Sequence, residues 1–403
     1  MSTKPDLRGA ITYERETTFG EDTDTTAEFR IPTVGKVETS ALVWERVASD
    51  RTTQRRNERT QYNYGAKGGT FKVKVELPGH GSSTAGAVSK TKLETLIGDI
   101  FGASVVSAAS GDTITGGTQS APTTTAANGF APGSLCRIGQ LKDGDGNGQF
   151  AVVQGHAGNT LDLLTDIDDD PANGAVLYSA VNMHTNESDY SVKSFRFLLQ
   201  TASIQYLTHG TVCTAIAVSS LAAGAILSFE FTFECSWWEY KAATFPNPTA
   251  TETAQPGPVA AGSLFVQEVG TSTRNTRVCR DLTLEYTVGV TLLPGPGGAN
   301  EFQKYVGAVR TEDQIRWSWT EDADDATTTP VVPSYNTPRH ILASLVVVAG
   351  KAVGMYSPNV IPDAEPIMMS ANGVNSFRWT GLASTGPDVG TELEASAFRM
   401  AFA

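Results

Sequence analysis

The five histidines of the chain, His80, His156, His184, His209 and His340, fall at no i, i+2 or i, i+4 spacing. A zinc-hydrolase helix needs two histidines one turn apart with a carboxylate between them, and no HExxH occurs. No GxSxG elbow, no GxxxxGK[ST] phosphate loop and no CxxC pair is present either. Each histidine therefore reads as a turn or surface residue, including His80 in the Gly-rich LPGHGSS, and no catalytic residue is expected. Asp143, Asp145 and Asn147, in DGDGNG, match positions 1, 3 and 5 of a calcium loop, with Phe150 at the apolar eighth. Position 12 is Gln154 rather than a bidentate Glu, and the flanks read as strands. A β-turn of Asp, Asn and Gly accounts for the same residues without a metal and is preferred. The acidic run Asp166, Asp168, Asp169 and Asp170 reads as a solvated loop before Pro171. Arg46, Arg51, Arg55, Arg56 and Arg59 form the one basic cluster. It lacks the interleaved aromatics of a nucleic-acid patch, so these arginines read as intersubunit ion-pair partners of a neighbouring copy. Trp237, Trp238, Trp317 and Trp319 could stack on sugars, but period-2 placement assigns Trp237, Trp317 and Trp319 to core or subunit contact.

Composition narrows the classes further. Thirty Lys and Arg against 43 Asp and Glu give a net charge of -13, the wrong sign for gripping phosphates over a broad surface but suited to touching DNA without holding it. With 403 residues, 18% of them charged, the chain reads as two to three folding units rather than a disordered polymer. Cys136, Cys213, Cys235 and Cys279 read as buried thiols from a reducing compartment. The amino-terminal segment has no apolar signal core, and the longest apolar stretches, such as Ile341 to Ala349, are too short to span a bilayer. A soluble protein made in the cytoplasm is expected.

Positioning elements follow from periodicity. Residues 1 to about 30 lack it and read as an extended arm. Strands are expected at Val37 to Val47 and Phe71 to Leu77, joined by a long Arg-rich loop. Ser89 to Gly102 is the clear helix: Leu93, Leu96, Ile97, Ile100 and Phe101 share one stripe, with Ser89 as N-cap and Gly102 as C-cap. A second, shorter helix is expected at Asn300 to Gly307. After a small-residue linker near 109–129, short apolar runs between Gly, Asn and Asp turns predict an inserted small β-barrel or sandwich. Phe229, Phe231, Phe233, Cys235 and Trp237 then alternate strictly with polar residues, as do Leu282, Leu284 and Tyr286, and Ile315, Trp317 and Trp319. A Pro/Thr linker spans Phe245 to Gly262.

The order VETSALVWERV, Arg-rich loop, FKVKVEL, then LETLIGDIFGA, the segments GFAPGSLCRIGQ and NGQFAVV, and finally SVKSFRFLLQ and TVCTAIAVSSLAAGAILSFEFTFEC resembles the tail tube (major tail) proteins of long, non-contractile-tailed bacteriophages. The resemblance covers roughly 35–240 and thins beyond. It implies a mainly β fold, a β-sandwich or barrel with one flanking α-helix and an inserted small β domain. Its boundaries would be an arm at 1–34, tube domain at 35–112, insertion at 113–188 and tube domain again at 189–403, with a second tube-like unit from about 263 as the alternative. It further implies a structural virion protein without enzymatic activity or cofactor. Such a protein is assembled in the host cytoplasm into hexameric rings, or trimers of fused domains, that stack into a DNA conduit and meet other tail proteins but no membrane. Glu230, Glu234 and Glu285 are the lumen-facing candidates; Arg51, Arg55, Arg56 and Arg59 are the intersubunit candidates. A calcium- or glycan-binding tail decoration is the competing expectation.

Overall fold

Alternation such as Phe-Glu-Phe-Thr-Phe-Glu buries one residue set only if the strand lies with one face on a core. The computed structural model of the chain is built on that rule. It describes residues 10–20, 29–31, 33, 37–48, 62–76, 90–108, 110–126, 129–142, 148–186, 188–201, 204–219, 226–241, 261–269, 275–277, 279–295, 303–322, 337–348, 351–364, 367–371, 374–386 and 391–403.

The first elements are β1 (Ala10–Arg15), β2 (Phe29–Ile31), β3 (Glu38–Ala48), β4 (Tyr62–Glu76), α1 (Lys92–Phe101) and β5 (Gly102–Val106). A closed barrel follows: β6 (Asp112–Gly117), β7 (Pro122–Thr124), β8 (Leu135–Ile138), β9 (Gln149–Ala157), β10 (Thr160–Leu163) and β11 (Val176–Tyr178). The chain returns through β12 (Val181–Thr185), β13 (Phe195–Thr201), β14 (Ile204–Ser219), β15 (Ser228–Cys235) and β16 (Trp237–Tyr240). Next come β17 (Ala261–Glu268), β18 (Asn275–Arg277), β19 (Cys279–Thr287), β20 (Val290–Pro294), β21 (Tyr305–Arg310) and β22 (Gln314–Asp322). The last are β23 (Arg339–Val348), β24 (Lys351–Pro362), β25 (Ile367–Ala371), β26 (Val374–Ser384), α2 (Glu392–Ala395) and β27 (Arg399–Phe402). The fold is mainly β, and among the described residues α1 is the one helix longer than a single turn.

One antiparallel run crosses the molecule in the order β3-β4-β15-β14-β19-β22-β26-β25. β14 is long enough to serve two neighbourhoods: its first half pairs with β13 and β16, its second with β15 and β19. The change occurs at Gly210, whose φ of 56° suits glycine and whose Cβ would sit 2.7 Å from the Ser236 side chain. On the inner face Phe233 stacks on Phe71 at 5.3 Å and meets Phe197 at 4.7 Å. Phe101 of α1 lies edge-on to Tyr286 at 4.9 Å and to Phe398 at 5.6 Å. Elements from before and after the Pro/Thr segment thus share one hydrophobic core.

The barrel encloses its own apolar cluster, including Ile114, Phe130, Ile138, Val153 and Leu177. It is fastened to the main body by Leu135, Phe150 and Val152 against Phe265, Leu342 and Tyr356. A Cβ at Gly354 would come 2.7 Å from the Phe150 ring, so the close approach there requires glycine.

Three local expectations are corrected. The N-cap of α1 is Thr91, not Ser89: Thr91 Oγ1 accepts the Glu94 N–H, and Glu94 Oε2 accepts the Thr91 N–H at 2.6 Å. That reciprocal capping box satisfies two backbone donors, one more than a lone serine could; Ser89 lies outside the described residues. The expected helix at 300–307 is strand from Tyr305 onward, since Tyr305 and Gly307 pair with Pro294 and Leu293 in the β20–β21 hairpin, and Gln303 before it bridges Lys67. Three apolar residues in eight fit either period, and the partner strand decides. Within the expected arm, Ile11 and Tyr13 are buried because β1 is a full strand paired with β13.

Candidate functional site: a polar sheet face

The outward face of the eight-strand run follows from register. With Phe71, Val73, Phe231 and Phe233 turned inward, Lys72, Lys74, Glu230 and Glu234 must turn outward. The same parity places Glu285 beside Arg316, and Arg378 beside Thr320, on that face. The three lumen candidates therefore share one side of one sheet, but their surroundings differ. Glu230 accepts a hydrogen bond from Lys72 Nζ at 2.8 Å, and this pairing raises the lysine's pKa. Glu234 accepts from Tyr305 Oη at 2.6 Å. Burial together with that bond pushes the Tyr305 phenol up to about 12. Glu285 is exposed, and Arg316, its register partner, binds Asp363 at 2.7 Å.

The face is a mosaic of opposite charges rather than an acidic sheet. The acidic residues were visible in the sequence, as was the alternation of Lys72 and Lys74 in FKVKVEL. Which cation lies beside which carboxylate depends on strand register between residues 158 positions apart, which no local pattern encodes.

A buried clamp supports the face from beneath. Arg310 Nη1 and Nη2 donate to the Ile100 and Phe101 carbonyls at 3.1 and 3.2 Å, where the C-terminal end of α1 leaves acceptors unfilled. Nη2 also reaches Asp313 Oδ2 at 2.6 Å and Tyr286 Oη at 2.9 Å, while Asp313 Oδ1 accepts the Gly289 N–H. Burial first, and then the Asp313 carboxylate, holds the Tyr286 phenol well above its ordinary value. The clamp ties β19 and the β20–β21 hairpin to α1. Isolated arginine and aspartate at i, i+3 gave no sign of it.

The remaining candidates divide plainly. Arg51, Arg55, Arg56 and Arg59, with Asp143, Asp145 and Asn147, lie outside the described residues. Arg46 lies in β3, opposite Tyr64. Asp168 and Gln149 bond to each other, and Asp170 pairs with Lys142 at 3.0 Å, so these members of the acidic run tether loops. Among the described residues no cluster of three His, Cys, Asp or Glu is placed to hold a metal ion. Trp237, Trp238, Trp317 and Trp319 are all buried and offer no stacking face for a sugar. Cys136, Cys213 and Cys235 are buried free thiols whose pKa values burial raises.

His184 and His340 are held towards the neutral form by burial, His340 down to about 4. His340 bonds Tyr356 Oη at 2.9 Å beside a cleft of about 460 Å³ between the barrel and α2. Arg399, which also lines that cleft, spends its donors on the Gly133 and Glu394 carbonyls and on Ser396. These groups fasten α2 and the barrel to β27, which is structural work. No protein-family model and no curated protein matches the chain.

Proposed function

We propose that this chain is a structural virion subunit, a tail tube protein of the long, non-contractile-tailed phage type, that assembles into stacked rings around a bore through which DNA passes. The observation that carries the reading is the wide sheet with one apolar and one polar face, on which cations have carboxylates close by: Lys72 with Glu230, and Arg316 with Asp363. A conduit for a polyanion must not offer unpaired cations in a row, because each phosphate contact adds affinity and friction. A surface of compensated pairs on a chain of net charge -13 meets that need. The work is mechanical rather than catalytic, with no cofactor.

Six copies per ring is the preferred arrangement, and three copies each contributing two sheet units is the alternative. Other tail proteins would meet the tube at its ends. No helix among the described residues is long and apolar enough to cross a membrane, and the proposed location is the virion tail. Negative-stain microscopy of the concentrated protein, with sedimentation velocity, tests the reading. Rings or tubes with an open bore are expected; a strict monomer at all concentrations, or a bore lined mainly by cations, refutes it.

A further inference from the structure

The methionines among the described residues fall into two sets. Met183, Met400 and Met355 lie side by side in register on β12, β27 and β24, and at 0%, 1% and 0% exposed they form a row inside the main core. Met368 and Met369, consecutive on β25, are 68% and 42% exposed, beside Ile367 at 67%. Alternation buries one of two successive side chains wherever a strand covers a core. Here neither is buried, and register supplies the reason. Met369 lies opposite Ser376 on the polar side of the sheet. Met368 lies opposite Phe377, whose next neighbour on the same face of β26 is the buried Trp379, so Met368 shares the core side. Phe377 is itself only half-buried. The core therefore ends beneath β26, and β25, which pairs with β26 alone among the described residues, overhangs it with both faces in water.

We propose that Met368 and Met369 are a peroxide-sensitive modification site, at which oxidation to the sulfoxide changes the polarity of β25 and leaves the fold intact. The inference goes beyond the tube reading and does not depend on it. The thioether sulfur gives an electron pair to one oxygen of hydrogen peroxide, and an S–O bond forms as the O–O bond breaks. The proton on the transferred oxygen passes to the departing hydroxide, which leaves as water. Sulfur is oxidised by two electrons and the peroxide reduced by two. The reaction needs contact with a small polar oxidant, which the overhang allows and the core row denies. A sulfoxide on β25 projects into water, and the β25–β26 ladder is made by backbone groups that the reaction does not touch. The same group at Met355 or Met400 would be buried among apolar neighbours without a partner, so those sulfurs react only when the fold opens. Oxidation at both surface positions leaves Ile367 as the one apolar side chain of what was a run of three exposed ones.

Graded hydrogen peroxide treatment of the folded, unassembled protein, followed by proteolysis and tandem mass spectrometry, decides the point. Met368 and Met369 should each gain one oxygen on the order of tenfold or more faster than Met183, Met355 and Met400, and the difference should vanish in urea. With the surface pair alone oxidised, the melting temperature should hold while the fluorescence of added anilinonaphthalene sulfonate, a reporter of exposed apolar surface, falls. In the double variant Met368→Leu/Met369→Leu the same treatment should leave dye fluorescence unchanged. Core methionines that react as fast as the surface pair, or a surface pair as slow as the core row, overturn the site. A melting temperature that drops with only Met368 and Met369 oxidised overturns the overhang. Dye fluorescence that falls equally in the leucine variant overturns the polarity change at β25.

Discussion

Replacing Arg310 by methionine should destabilise the subunit far more than the same change at Arg316, although both arginines pair with an aspartate. The Arg310 and Asp313 side chains are 6% and 15% exposed, and Arg310 also fills two carbonyls of α1. Its loss strands a mostly buried carboxylate and returns two buried acceptors to an unfilled state. Breaking one side of such a pair costs about 3–5 kcal/mol. Arg316 and Asp363 are 42% and 27% exposed, where water screens the pair and about 0–1 kcal/mol is expected. Urea unfolding of unassembled protein, followed by tryptophan fluorescence, reads both variants in one assay, since Trp317 and Trp319 are buried in the same core. Adding Asp313→Asn to Arg310→Met should recover part of the loss, so that the double variant departs from additivity by about 0.5–3 kcal/mol. Equal losses below about 1 kcal/mol for Arg310→Met and Arg316→Met would refute the clamp.

Phe233→Ala should cost about 3–5 kcal/mol, because the ring is buried against Phe71, Phe197 and Phe231 and its removal leaves a cavity; a loss under about 1 kcal/mol in the same urea assay would reverse the face assignment of β15. Burial pushes Glu16 up to about 7 from 4.5, despite N–H donors from Gly210 and Gly20. The folded state thus holds its proton where the unfolded chain releases it, and stability should fall by about 3 kcal/mol as pH rises from 4.5 to 7, then level off; Glu16→Gln should flatten that slope in pH-dependent melting. Reversing Arg55 and Arg56 to Glu should weaken assembly in sedimentation while leaving the melting temperature of the monomer unchanged, and unaltered assembly removes their intersubunit role.

Strands with one wet face were legible in the sequence. The inward set of β15, the stripe of α1 and the Gly102 cap all lie where period and turn chemistry place them. A strand covered on both sides was not. β12 is buried along its whole length, because α1 and the strands beside it enclose it, and a strand without a wet face has no alternation to read. α2 was missed for a different reason. At four residues it is a single turn, held by a Thr391–Glu394 capping box of the same T-x-L-E form that starts α1. A cap without a following stripe carries too little periodic signal to separate from a loop.

The candidate surface was legible only by half, and the missing half changes its chemistry. A row of glutamates at Glu230, Glu234 and Glu285, read along each strand, suggests a wall that repels phosphate by uncompensated charge. Placed side by side, the strands bring Lys72 to Glu230, Tyr305 to Glu234 and Arg316 opposite Glu285. A repulsive wall and a compensated wall both let DNA slide, but they respond differently to salt. Repulsion between exposed charges fades as the Debye length falls from about 10 Å at 0.1 M to about 3 Å at 1 M, whereas compensated pairs leave little net field for salt to screen. Passage through a mosaic bore should therefore depend only weakly on ionic strength. Lys72→Gln, which leaves Glu230 without its partner, should make DNA retardation by assembled tubes more salt-sensitive. A wild-type tube already as salt-sensitive as the variant would mean that register does not neutralise this face.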